Sequence, residues 1–171
     1  MNLQIRLSKP EDLDNILKLQ ADSLRALSPC YNSSQVESLI RSQGLARRNS
    51  DEIVFVAEQN SEIVGFSCLI SNDSRIGGIF VHPNFIRQGI GTDLLDAIEK
   101  VAIKNQCKVI DVTSSLAAVK FYQANGYQTI RESGFFSEAA VWVPCVNLSK
   151  KLAEQTELED LCLWLKRIFF F

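Results

Sequence analysis

The sequence predicts an α/β fold with a mixed, mostly antiparallel sheet, helices on both faces and an extra helix at the C-terminus. Two features of the chain lead to this prediction. The first half joins β-rich segments by short turns, as antiparallel hairpins do, and the second half alternates strand and helix. Of the 171 residues, 46% are apolar, 22% are charged and only 4 are proline, which is typical of one globular domain.

The N-terminal part predicts one strand followed by two helices. Residues 1–7 alternate apolar and polar side chains, as a half-buried strand does. Ser8-Lys9-Pro10-Glu11 has the form of a capping box with proline in the first turn, so a helix should follow and end at Ser28-Pro29. Ser34 and Glu37 then open a second amphipathic helix.

The middle of the chain predicts a hairpin, a third strand and a long helix. Ile53–Ala57 and Ile63–Ile70 are rich in β-forming residues and are separated by a polar turn. Another polar turn leads to a strand at Arg75–Val81. Beyond Pro83, a loop that contains glycine opens a helix that should end near Asn105.

The C-terminal part predicts two short strands around one helix, then a last long strand and a final helix. A strand at Val109–Val112 precedes a helix at Leu116–Ala124, which Asn125-Gly126 ends as a left-handed cap. Two further strands are expected at Tyr127–Ile130 and Ala139–Leu148.

Charge and residue counts exclude several classes of protein. A net charge of −2, with no basic run longer than Arg47-Arg48, disfavours nucleic-acid binding. The single histidine, His82, excludes multi-histidine metal sites, and we expect no metal. Five cysteines without a CxxC pair favour reduced thiols in the cytoplasm. No stretch reaches the ~18 consecutive apolar residues of a membrane-spanning helix, so we expect a soluble protein.

The stretch from Ile79 to Thr92 gives the strongest indication of chemistry. It is a strand that passes through a loop into the N-terminus of a helix, where backbone N–H groups have no partner within the helix. Gly89 and Gly91 let an anion approach the main chain, and a pyrophosphate is the natural ligand. Alternatively, the two glycines only allow a tight turn.

Two nucleotide-binding motifs match this stretch poorly. A Walker A loop requires Gly-Lys-Ser/Thr, whereas the chain has Gly91-Thr92-Asp93, which argues against ATP or GTP hydrolysis. The dinucleotide fingerprint GxGxxG finds its first two glycines at Gly89 and Gly91, and Asp111 stands where a ribose-binding acid would. Leu94 occupies the place of the third glycine, so NAD binding is disfavoured.

Two segments resemble the GNAT N-acetyltransferase superfamily. Val81-His82-Pro83 and the following Arg87–Thr92 are similar to its acyl-coenzyme A motif, a strand ending in Val-x-Pro before Arg/Gln-x-x-Gly-x-Gly/Ala. Ser115–Tyr127 resembles the downstream signature, Asn/Ser-x-x-Ala-x-x-Phe-Tyr and then Gly-Phe/Tyr. The resemblance implies a GNAT-like acyltransferase domain over residues 1–150, with residues 151–171 as a helical extension of the same domain.

The resemblance implies an enzyme that moves the acetyl group of acetyl-coenzyme A to a primary amine by direct attack in a ternary complex. The acceptor would be a small molecule or, as a second choice, a protein. The alternative is a non-catalytic module that binds or senses acyl-coenzyme A. The implied cofactor-binding residues lie on the strand, in the loop and before the downstream helix: Ile79, Phe80, Val81, Arg87, Gln88, Gly89, Gly91, Thr92 and Ser115.

Tyr122 is the catalytic residue that the resemblance implies, as the acid that protonates the leaving thiolate. A phenol has an unperturbed pKa of about 10, which suits this task. The alternative is a tyrosine that only packs beside Phe121. Ser115 is expected to cap the helix, and it is also placed to contact the pantetheine amide.

The chain departs from the family pattern at two places. Ile86 stands at the first position of Arg/Gln-x-x-Gly-x-Gly, and Gly77-Gly78 stand where many relatives carry a glutamate as general base. The resemblance implies a main-chain N–H on this strand, opened by a β-bulge, as the donor to the thioester carbonyl, and the two glycines would mark such a bulge. Alternatively, they only weaken the strand or allow a close approach of substrate. The general base stays open between His82, Asp111 and water.

The remaining predictions concern the acceptor and the C-terminal tail. We expect the acceptor pocket between Ser28–Tyr31 and a loop carrying Gly134-Phe135-Phe136, whose rings would line an apolar slot. Residues 161–171 are strongly apolar and need cover. The expected cover is the same domain or a second subunit in a homodimer. Contact with a membrane surface through Lys166 and Arg167 is the minority alternative.

Overall fold

The computed structural model describes residues 3–26, 30–48, 52–137, 139–153 and 165 of the chain. Short 3₁₀ turns precede α1, β4, α3 and α4 in the order given next. The helices and strands are β1 (Leu3–Leu7), α1 (Leu13–Arg25), α2 (Ser33–Arg48), β2 (Glu52–Gln59), β3 (Glu62–Ile70), β4 (Arg75–Val81), α3 (Ile90–Lys104), β5 (Val109–Ser115), α4 (Val119–Ala124), β6 (Gln128–Phe136) and β7 (Trp142–Lys151).

The strands form one sheet in the order β1-β2-β3-β4-β5-β7-β6. All neighbouring strands are antiparallel except β4 and β5, which are parallel. These two strands pair only at Arg75 with Asp111 and at Ile76 with Val112, and they diverge beyond those pairs. The predicted mixed, mostly antiparallel sheet is confirmed, and its parallel pair is open at one end.

Helices cover both faces of the sheet, as predicted. Successive strand residues point to opposite faces, so two neighbours on β3 show which helix lies on which side. Cys68 packs in one cluster with Ile16 and Leu19 of α1. Leu69 packs in another cluster with Ile98 of α3. The diverging ends of β4 and β5 therefore lie between two helical layers.

The cap before α1 differs from the predicted one. The Asp12 carboxylate, not Ser8 or Glu11, forms the capping contact, because it accepts a 2.7 Å hydrogen bond from the Lys9 backbone N–H. Arg6 also donates to Asp12 at 2.7 Å, and this hydrogen bond holds the pKa of the carboxyl below its usual value. The ion pair with Arg6 of β1 holds Asp12, and not Glu11, in the capping position.

The cap of α2 also lies earlier than the sequence suggested. The Gln35 N–H donates to Asn32 Oδ1 at 3.0 Å, and the Asn32 N–H donates to Gln35 Oε1 at 3.0 Å. This reciprocal pair is a capping box with amide side chains. The helix begins at Ser33, so the predicted start at Ser34 is one residue late.

The predicted loop at Gly134-Phe135-Phe136 is wrong, because these residues belong to β6 and pair with Trp142–Pro144 of β7. The glycine has a packing role. A Cβ at this position would lie 2.2 Å from the indole ring of Trp142. Glycine is thus needed to let that ring cross the strand, and it does not mark a turn.

The C-terminal helix predicted over residues 151–171 lies outside the described residues, apart from Leu165. The packing of the apolar tail on the domain or on a second subunit stays a prediction.

β7 ends at Lys151, one residue beyond the predicted domain boundary. In the described ranges, no helix combines the length and the apolar character needed to cross a lipid bilayer.

Candidate active site

A cleft of about 590 Å³ opens where β4 and β5 diverge. One wall is the end of β4, with the loop that follows it and the first turn of α3. The other wall is formed by Ser115, Ala118, Phe121 and Tyr122, between the end of β5 and α4. The two segments that sequence analysis singled out therefore face each other across this cleft.

A β-bulge lies in β4 at the closed end of the cleft. Cys68 pairs with Gly78 and Leu69 pairs with Ile76, so Gly77 is an extra residue on β4. Gly78 has a φ of +157°, and a Cβ there would lie 2.5 Å from the ring of Phe80. The bulge that the two glycines predict is therefore present, and the position of Gly78 requires a residue without a side chain.

The pairing of β4 with β3 decides which backbone groups face the cleft. His82 N–H donates to Val64 at 2.9 Å, and hydrogen-bonded pairs alternate along an antiparallel ladder. The backbone of Phe80 is therefore directed toward β3, while Ile79 and Val81 are directed toward the cleft. Phe80 instead lines the cleft with its ring, which stacks on Phe66 with centroids 4.9 Å apart.

The entrance of the cleft is formed by the loop before α3, as the glycine pattern predicted. Arg87 and Gly89 have left-handed φ angles of +64° and +86°, and Gly89 is the N-cap of α3. The backbone N–H groups of residues 87–91 find no acceptor in the described part of the chain. Successive free N–H groups at a helix start form an anion-binding site.

Three residues of the predicted loop differ in how they meet the cleft. Gly91 is packed against Phe121, since a Cβ there would lie 3.3 Å from that ring. The Thr92 N–H is already bonded to the Gly89 carbonyl at 2.9 Å, so it is not a free donor, although Thr92 lines the cleft. Gln88 is exposed and lies outside the lining of the cleft, whereas Ile86 lines it.

Tyr122 lies between the cleft and a second, smaller cavity. It is only 3% exposed, and it lines both spaces. Its ring packs edge-on against Phe121 and Tyr127, with centroids 5.1 and 5.4 Å away. Among the described residues its hydroxyl has no hydrogen-bond partner, which leaves the proton free for a ligand. Burial, with a smaller contribution from Cys68, raises the pKa of this phenol above its ordinary value.

Ser115 also borders both spaces, but it does not cap the following turn. The structure shows no hydrogen bond from its side chain to that turn, so the predicted cap is wrong. Its position at the end of β5, in the lining of the cleft, agrees with the expected contact to a cofactor.

The two side chains considered as general bases lie away from the reaction space. His82 Nδ1 accepts a 3.2 Å hydrogen bond from the Asn84 N–H, and its ring packs on Phe85. Asp111 lies opposite Arg75 in the β4–β5 strand pairing, at the closed end of the split in the sheet. Neither residue lines the cleft or the smaller cavity. These positions give no support to either side chain as the base, and the identity of the base stays a prediction.

A buried ion pair occupies the space beside the bulge. The side chains of Arg47 on α2 and Glu52 on β2 are 4% and 3% exposed and form a salt bridge. A Cβ at Gly77 would lie 3.0 Å from Glu52 Oε1. A side chain at Gly77 would therefore crowd the ion pair and Cys68, which favours glycine at this position.

The smaller cavity, which we call the slot, has a volume of about 80 Å³. It contains Tyr31 and Phe135 from the two regions predicted to form the acceptor pocket. The Tyr31 hydroxyl donates to the Pro144 carbonyl at 2.8 Å and accepts from the Leu116 N–H at 3.0 Å, which fixes the wall. Phe136, by contrast, is 70% exposed and points away. Ser28 and Pro29 lie outside the described residues.

Sequence reasoning missed Ser23. This residue of α1 lines the cleft, and its hydroxyl donates to the Val81 carbonyl at 2.9 Å. The carbonyl is one of the β4 groups directed toward the cleft, so Ser23 extends that edge. While its proton is donated, the hydroxyl oxygen keeps lone pairs for a ligand N–H.

We expect Ser23→Ala to weaken binding of coenzyme A about fivefold, the value of one hydrogen bond near 1 kcal/mol. Adenosine 3′,5′-bisphosphate, which lacks the pantetheine arm, should bind with unchanged affinity. Calorimetry with both ligands measures the difference. Ser42→Ala is the control, because Ser42 donates only to Leu39 of its own helix. Equal loss for both ligands would contradict a contact to the arm.

A mixed sheet split between two parallel strands, with free helix-start N–H groups at the entrance and a protonated phenol inside, defines the acyltransferase class that the sequence resembles. Among the described residues, no three His, Cys, Asp or Glu side chains are grouped so as to hold a metal ion.

Comparison with known proteins agrees with this class. Residues 25–147 match the family model of the acetyltransferase (GNAT) domain. An uncharacterised N-acetyltransferase of Methanocaldococcus jannaschii is 29% identical over 136 residues, which cover 72% of this chain and 60% of that protein. The chain therefore belongs to the GNAT acetyltransferase family, and it spans less than two thirds of that relative's length.

Solved structures show the same fold. A GCN5-related N-acetyltransferase from Rhodopseudomonas palustris superposes with a TM-score of 0.81 at 24% identity, covering 88% of this chain and 96% of its own. The PaiA N-acetyltransferase of Thermoplasma acidophilum, solved in complex with coenzyme A, has a TM-score of 0.70 at 20% identity, covering 88% and 99%. The predicted GNAT-like fold is confirmed.

Proposed function

We propose that the protein is an N-acetyltransferase that uses acetyl-coenzyme A and a primary amine of a small molecule. The observation that carries this proposal is the arrangement of the cleft. Free N–H groups of residues 87–91 lie at its entrance, the backbone groups of Ile79 and Val81 that are directed away from β3 lie along one wall, and the Tyr122 phenol lies inside.

The residues present fit acetyl-coenzyme A, which supplies an acetyl thioester. The N–H groups of residues 87–91 and the start of α3 would hold the diphosphate. Ile79 and Val81 would pair with the pantetheine arm as an added strand does. The coenzyme A complex of the Thermoplasma relative supports this assignment.

The chemistry requires a neutral amine, a polarised carbonyl and a proton for the leaving sulfur. A bond forms between the amine nitrogen and the carbonyl carbon, and the carbon–sulfur bond breaks. The bulge at Gly77-Gly78 would present a main-chain N–H to the carbonyl oxygen. The raised pKa keeps the Tyr122 phenol protonated, so it is not the base. The phenol would donate a hydrogen bond to the leaving sulfur and pass its proton to it, and the proton released by the amine nitrogen would restore the phenol.

The rival function is a module that binds acyl-coenzyme A without turnover. It is favoured by the scarcity of ionisable side chains: among the described residues that line the cleft, only Tyr122 and Arg87, which lies in the loop at the entrance, can ionise. In an enzyme, a water molecule would take the proton of the amine.

Two measurements test the proposed function. Calorimetry should show acetyl-coenzyme A binding at micromolar to sub-millimolar concentration. Thiol release across a panel of primary amines should then show amine-dependent turnover. Binding without turnover on any amine would favour the module, and no binding at millimolar cofactor would contradict both functions.

A further inference from the structure

We propose that the slot receives an uncharged aliphatic substituent of the acceptor amine, about three or four carbon atoms in size. This inference rests on the proposed function. It concerns the chemical class of the acceptor substrate, that is, the group attached to the reacting nitrogen.

The position of the slot suits an acceptor. It shares Tyr122, Ile79 and Ser115 with the cleft, so a ligand in the slot lies beside the reacting centre. It then extends between α1, α2 and the β6–β7 pair, on the side away from the loop at residues 87–91. A molecule bound there approaches the thioester from the side opposite the diphosphate.

The slot is lined by apolar side chains together with polar ones, and among the latter Tyr31, Thr113 and Ser114 already form hydrogen bonds within the protein. Leu24, Leu39 and Val143 are 2%, 4% and 1% exposed, and Phe135 forms the rim at 37%. Burying an aliphatic group against these side chains is favourable by about fourfold in binding for each methylene group.

The described residues that line the slot include no Asp, Glu, Lys, Arg or His. Arg47 and Glu52, which lie beside Gly77, are paired with each other. A second ammonium or a carboxylate on the acceptor would lose its hydration without gaining a partner. The slot therefore selects against polyamines and amino acids.

The volume of the slot limits the size of the substituent. At about 80 Å³ it has roughly half the volume of the ~150 Å³ apolar cavities that hold benzene. A propyl or isobutyl group matches this space, whereas a phenyl ring does not.

The experiment is a thiol-release assay of the full chain with acetyl-coenzyme A and matched primary amines. When kcat/KM is calculated from the concentration of the unprotonated amine, it should rise about fourfold per methylene from methylamine to propylamine and isobutylamine. Isobutylamine should exceed putrescine, ethanolamine and benzylamine by at least tenfold. Equal or faster turnover of putrescine or ethanolamine would overturn the inference while leaving the acetyltransferase activity intact.

Two neighbouring variants locate the substituent. Phe135→Ala widens the rim, so it should lower kcat/KM for isobutylamine about tenfold and raise that for benzylamine. Phe136→Ala is the control, because the side chain on the next residue points to the other face. If Phe135→Ala shows the same amine preference as the wild type, the inference is overturned.

A third comparison distinguishes the acceptor from a longer acyl group. If the slot holds the acyl chain instead, Phe135→Ala will change the ratio of butyryl- to acetyl-coenzyme A turnover and leave the amine preference unchanged, which contradicts the inference. Calorimetric binding of acetyl-coenzyme A with no turnover of any amine also overturns it. Loss of cofactor binding would indicate failure of the proposed function as well.

Discussion

Tyr122→Phe should lower the rate of amine-dependent thiol release about 100-fold, while the affinity for acetyl-coenzyme A stays within twofold of the wild-type value. The expected loss is the contribution of one positioned general acid. The substitution removes only an oxygen that has no hydrogen-bond partner among the described residues, so the packing of the ring on Phe121 and Tyr127 is kept. Single-turnover assays and calorimetry measure the two quantities separately.

Tyr127→Phe is the matched control for this prediction. Its ring lies 5.4 Å from that of Tyr122, but its hydroxyl donates to Glu99 at 3.0 Å and it lines neither the cleft nor the slot. The control should lose about 1 kcal/mol of unfolding free energy and keep its turnover. If both variants turned over at the wild-type rate, Tyr122 would have no part in proton delivery.

The cofactor side of the site is predictable from the sequence because its parts are consecutive. The strand end, the left-handed Gly89 and the helix start lie within a few residues of one another, and their local geometry alone creates the free N–H groups. The bulge at Gly77-Gly78 is predictable for the same reason, since two adjacent glycines weaken a strand wherever it lies in the sheet.

The walls of the cleft and of the slot also depend on contacts between distant parts of the chain. The hydrogen bond from Tyr31 to Pro144 joins residues 113 positions apart, and the one from Ser23 to Val81 joins residues 58 apart. Neither carries a local pattern in the sequence. Gly134 was misleading because its role, clearance for the Trp142 ring, depends on the strand it pairs with.

Ionisable groups that are attractive in the sequence can also be misplaced by the fold. His82 and Asp111 have suitable chemistry, but strand pairing and a local turn direct both away from the cleft. Side-chain direction in a sheet depends on the register, and a single bulge changes it for every residue beyond.

Gly89→Glu should raise the Kd for acetyl-coenzyme A about 30-fold relative to Gly89→Gln. Both side chains adopt the same left-handed backbone, with φ of +86°, and both enter open space, since nothing lies within 4 Å of a Cβ there. The shared backbone strain therefore cancels in the comparison. The two variants differ by one negative charge beside the diphosphate. The repulsion between these charges weakens binding by about 2 kcal/mol at an effective dielectric constant between those of water and protein.

The dependence on salt separates electrostatic repulsion from a change of shape. Exposed charges are screened over about 10 Å at 0.1 M ionic strength and about 3 Å at 1 M. The difference between the Glu and Gln variants should therefore shrink to a few-fold at 1 M salt, whereas a steric effect would persist. A carboxylate at residue 89 would repel a diphosphate bound by the free N–H groups of residues 87–91. Equal affinities of the two variants at low salt would therefore show that these N–H groups do not hold the diphosphate.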